Sequence, residues 1–62
     1  MCIEVTNEDN NEPIFIGLAD DFLESYNYDS ELEEILSKLD YYRVGHISNF
    51  DDYIIEKIYE EE

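Results

Sequence analysis

Apolar and polar residues alternate along this chain in two different rhythms. Ile3 and Val5 alternate with Cys2, Glu4 and Thr6, a period of two that predicts a short strand. The stretch from Asn7 to Pro13 is polar and rich in turn formers, so it reads as a loop. Ile14, Phe15 and Ile16 predict a second strand folding back on the first as a hairpin, with Gly17 ending it. From Leu18 the rhythm becomes helical, with Leu18, Phe22, Leu23 and Tyr26 on one side and Asp20, Asp21 and Glu24 on the other. Asn27, Tyr28 and Asp29 close that helix. Ser30 followed by Glu33 has the form of a capping box. Leu32, Ile35, Leu36 and Leu39 then recur at i, i+3, i+4 and i+7, the strongest amphipathic signal in the chain. Glu34 and Lys38 make a favourable i, i+4 pair on its wet side.

Residues 41–47 are aromatic and β-branched, which predicts a further strand weakened by Gly45. Ser48 with Asp51 repeats the capping pattern, and Phe50, Ile54 and Ile58 mark the buried stripe of a third helix. The expected architecture is therefore α+β: a short N-terminal β-hairpin, about three short amphipathic helices and one further strand. The single domain spans residues 1–62, with residues 60–62 expected to fray because Glu60, Glu61 and Glu62 put negative charge at a helix C-terminus. An all-helical bundle with an irregular N-terminal arm is the competing arrangement.

Length sets the first constraint. A domain of 62 residues buries only about 60% of its unfolded surface, and oligomerisation is a common remedy at this size, so a homodimer is one expected state. High charge favours disorder, but 44% hydrophobic and 15% aromatic content favours a folded chain. Eighteen Asp and Glu stand against three Lys and Arg, a formal charge of −15. No Lys, Arg or His precedes Lys38. Self-repulsion of that size opposes folding. It also excludes direct binding to nucleic acid and to anionic membrane surfaces. The longest apolar run, residues 14–19, falls far short of a membrane span. The start Met1-Cys2-Ile3-Glu4 lacks the positive region of a secretory signal. A cytoplasmic protein, in a host cell if phage-encoded, is expected.

Catalytic and cofactor chemistry find no support. A lone Cys2 and a lone His46 cannot build a zinc site within one chain. Asn7, Asp9 and Asn11 follow the i, i+2, i+4 spacing of an EF-hand loop, but Glu12 and Leu18 stand where its Gly and Glu belong. No Gly-rich phosphate loop is present. No catalytic residue, metal ligand or cofactor is expected.

The acids themselves form rows. On the expected last helix Asp52, Glu56 and Glu60 stand at i, i+4 and i+8, with steps of about 6 Å along the axis, near the spacing of phosphates on one strand. Asp20, Asp21 and Glu24 on the first helix, and Glu31 with Glu34 on the second, repeat the arrangement. Across an expected diameter of roughly 27 Å, fifteen net charges approach the linear density of duplex DNA, one per about 1.7 Å. By area the chain is about half as dense, so mimicry requires the acids to gather on one face. Tyr26, Tyr28, Tyr41 and Tyr42 lie near element ends, and Tyr41 and Tyr42 are candidate contact residues, because tyrosine supplies contact area at low entropic cost. Lys38, Arg43 and Lys57 are expected to mark the side turned from a partner, or a dimer seam.

In size and charge the whole chain resembles the small acidic anti-defence proteins of phages and plasmids: antirestriction proteins, anti-CRISPR proteins and uracil-DNA glycosylase inhibitors. These share a character and not one fold. The resemblance implies a DNA-mimicking inhibitor that occupies the nucleic-acid-binding surface of a basic host protein. The alternative reading is an antitoxin-like or regulatory interaction module using a Tyr-rich apolar surface.

Overall fold

Two strands, two helices and two further strands follow one another along the chain in the computed structural model, which describes residues 1–59. In chain order they are β1 (Cys2–Asn7), β2 (Pro13–Leu18), α1 (Ala19–Ser25), α2 (Ser30–Asp40), β3 (Ile47–Phe50) and β4 (Tyr53–Tyr59). The strands form one antiparallel sheet in the order β2-β1-β4-β3. The α+β class stands; the all-helical alternative does not.

The first hairpin forms, with Val5 opposite Phe15 and Ile3 opposite Gly17. Gly17 does not end β2, which runs on to Leu18. A Cβ on Gly17 would stand 3.2 Å from the ring of Phe15, so the glycine lets that ring fold over the strand. The ring then begins a chain of aromatic contacts: Phe15–Phe22 at 5.3 Å, Phe22–Tyr26 at 5.0 Å and Tyr26–Phe50 at 5.6 Å. These link β2, α1 and β3.

The third helix is replaced by a β3–β4 hairpin. Phe50 pairs with Tyr53 across a two-residue turn, where Asp51 takes φ 54°, a left-handed conformation that Asp tolerates better than most residues. Tyr53, Ile54, Ile55 and Ile58 are aromatic or β-branched, types that fit a pleated half-buried surface better than a helix. Consequently Ser48 and Asp51 cap nothing. The strand expected over 41–47 begins only at Ile47; 41–46 form a loop in which Gly45 sits at φ 97°.

Both helices cover one face of the sheet. Ile3, Val5, Phe50 and Ile55 from the strands meet Ala19, Phe22, Leu23, Leu32, Leu36 and Leu39 from the helices in a single core. α2 follows its expected stripe, with Ile35 half-buried at the margin. Its cap lies one residue earlier than expected: Asp29 Oδ1 accepts from the N–H groups of Glu31 and Leu32 at 3.0 and 3.2 Å. Asp and Ser are comparably good caps, so the competition between neighbours is decided by backbone geometry.

Candidate functional site

The described residues carry fifteen carboxylates, and the fold distributes them unequally. Asp20, Asp21 and Glu24 project from α1; Glu31, Glu33, Glu34 and Asp40 project from α2; Asp29 caps the junction. All eight are exposed. The basic side chain on these two helices, Lys38, pairs with Glu34 at 3.2 Å, both side chains being over two-thirds exposed. Five more, Glu8, Asp9, Glu12, Asp51 and Asp52, crowd the turns at one end of the sheet. There the Glu8 N–H donates to the Asp52 carbonyl at 2.9 Å and holds the two turns together.

Between the helices opens a groove of about 420 Å³. Its floor includes Met1, Leu18, Leu23 and Leu36, and its rim carries Asp20, Glu33 and Asp40. An apolar trough edged by carboxylates suits the stem and head of a long cationic side chain.

The candidate row of Asp52, Glu56 and Glu60 is not assembled. Asp52 lies in the β3–β4 turn and Glu56 on a strand, where four residues span about 13 Å and not one helical turn. Glu60 lies outside the described residues, as does the expected frayed tail. Glu56 instead faces away from the helices, opposite Glu4 of β1. The candidates Asp20, Asp21, Glu24, Glu31 and Glu34 do share the helical layer, and Glu33 and Asp40 join them.

Lys57 overturns its expected place on the surface. It is fully buried, and its Nζ donates to the carbonyls of Asp40 and Tyr42, each at 2.8 Å. These carbonyls lie at the C-terminal end of α2, where a helix leaves acceptors without partners. The Gly45 N–H donates to the Lys57 carbonyl at 2.6 Å, and the Lys57 N–H donates to the His46 carbonyl at 3.0 Å. One lysine thus pins the 41–46 loop from both its side chain and its backbone. Nothing in the sequence marked it, since lysine is almost never buried without partners.

That loop displays the tyrosine candidates. Tyr41 is 92% exposed. Tyr42 stacks on His46 with ring centroids 3.9 Å apart and planes 13° from parallel. Tyr26 behaves differently: burial first, then its hydrogen bond and charge interaction with Tyr53 and the nearby Asp51, push its phenol up to about 12. It belongs to the core margin.

No helix of the described residues is long and apolar enough to cross a membrane. No known protein family, curated protein or solved structure shows significant similarity to this chain.

Proposed function

We propose that the protein binds, through its helical layer, the nucleic-acid-binding surface of a basic host protein, and inhibits it by standing in for the polyanion. The observation that carries this reading is the composition of that layer: eight exposed carboxylates against one lysine, which Glu34 already engages. Ordinary surfaces intersperse the two signs, and a stable small fold has no use for such repulsion. The described residues carry a net charge of −12, which along the 32 Å long axis averages roughly one charge per 3 Å. That lies between the 1.7 Å of duplex DNA and the 3.4 Å of one strand. The resemblance to acidic anti-defence proteins points to restriction, CRISPR or glycosylase enzymes as the class of target.

Titrating the protein into restriction, CRISPR-nuclease and uracil-glycosylase reactions tests this. Inhibition of one enzyme is expected, competitive with its DNA and weakening steeply as salt rises. Glu31→Gln with Glu34→Gln should weaken it further. Loss of none of these activities, or inhibition indifferent to salt and DNA, overturns the reading.

A second reading, an antitoxin-like or regulatory module, is favoured by the presentation of Tyr41 and the prestacked Tyr42. Under it Tyr41→Ala abolishes partner binding while the glutamine variants leave it intact.

A further inference from the structure

The sheet face turned away from the helices is apolar at its flanks and anionic at its centre. Strand alternation and register place Ile16, Glu4, Glu56 and Ile47 in one row across all four strands. Ile54 and Ile58 lie on the same side of β4 as Glu56, on either side of it. Ile16 is 63% and Ile47 55% exposed, whereas Glu4 and Glu56 are half-buried in the middle. Neither glutamate forms an ion pair with a described residue. Like charges directly opposite each other weaken a sheet, and the positions cost stability without serving the core.

We propose that this face docks an amphipathic helix of a partner protein, whose apolar stripe lies along the isoleucines and whose single central Arg or Lys sits between Glu4 and Glu56. The charges select this occupant. A second copy laid on the same face would bring four carboxylates together in an apolar interface with no cation between them, an arrangement that desolvation and repulsion both oppose. A cation answers both glutamates at once, and the guanidinium fork fits two carboxylates best. The shape agrees: four strands at about 4.8 Å spacing offer a bed roughly 14 Å wide for a helix about 10–12 Å across. The opposite face of this sheet already packs helices. This site is separate from the helical layer, and neutralising Glu4 or Glu56 leaves all eight carboxylates of that layer unchanged, so the two readings fail independently.

The probe is a synthetic amphipathic helix of about 15 residues with a leucine stripe and one central Arg, titrated into protein labelled at isoleucine methyls for NMR. Saturable shifts are expected at Ile16, Ile47, Ile54 and Ile58. Affinity should fall about tenfold or more when the central Arg becomes Gln, and equally for Glu4→Gln or Glu56→Gln. Those variants remove repulsion, and thermal melts confirm that they fold. Equal affinity for the Arg and Gln peptides overturns the proposal, as do shifts confined to helix residues or absent altogether. Sedimentation at the same concentrations showing a dimer through this face overturns it in favour of a second copy.

Discussion

On its covered face the sheet presents Ile3, Val5, Ile55 and Lys57 to the helices; on its open face the same strands present Glu4, Thr6, Ile54 and Glu56. Successive residues of one backbone therefore obey different requirements. Inward positions follow the rules of a stable core, and even the buried lysine has its Nζ satisfied by two carbonyls. Outward positions pair two like charges and expose isoleucine, choices that weaken a small domain. Where local choices conflict with stability, function is the usual reason.

The contrast breaks most visibly in the core. Leu39→Ala, at a fully buried position, should cost about 2–5 kcal/mol, much of the roughly 3–9 kcal/mol available to a chain this short. Ile47→Ala on the open face should change the unfolding free energy by under about 0.5 kcal/mol, read by chemical denaturation. Equal effects from the two would erase the distinction. Lys57→Met should come next, at about 2–4 kcal/mol, because two carbonyls at the end of α2 lose their donor; chemical denaturation measures it, and exchange of amides in 41–46 should rise first.

Tyr26, at the core margin, responds to alkali. Its phenol ionises near 10 when unfolded and near 12 in the fold. The fold thus favours the neutral form, whose contribution is complete below pH 10 and is lost as pH climbs from 10 to 12. Midpoints measured across that window should fall for the native chain and fall less for Tyr26→Phe. The smallest effect has the opposite sign. Glu4→Gln should stabilise by about 0.2–1 kcal/mol by removing cross-strand repulsion, read as a rise in melting temperature.

The same contrast explains what could be read from the sequence. β1 and α2 were legible because each buries one side only, leaving clean periods of two and of 3.6. β4 was not. It carries apolar residues on both faces, with Tyr53 and Ile55 inward and Ile54 and Ile58 outward, so alternation disappears. What remained was Phe50, Ile54 and Ile58 at intervals of four, which a helix and a strand can both satisfy. Ser48 and Asp51 then imitated a cap, while the true signal, a turn at Asp51 and Asp52, lacked the glycine that usually advertises a tight hairpin. Of the candidate residues, the acids of α1 and α2 stand together on the helical layer because those two helices formed. The Glu4–Glu56 pair was invisible because its partners are 52 positions apart and meet only through strand order.

That order also sets a timetable for folding. The first and last strands, β1 and β4, are the central neighbours of the sheet, so β3 has no route to β1 and β2 except through β4. The sheet stays unjoined until β4 closes a loop of some fifty residues, Ile3 against Lys57. Long-range closure of this kind slows folding. It also leaves the inner edge of β1 unpaired until that closure, while the chain's dense negative charge opposes association between copies.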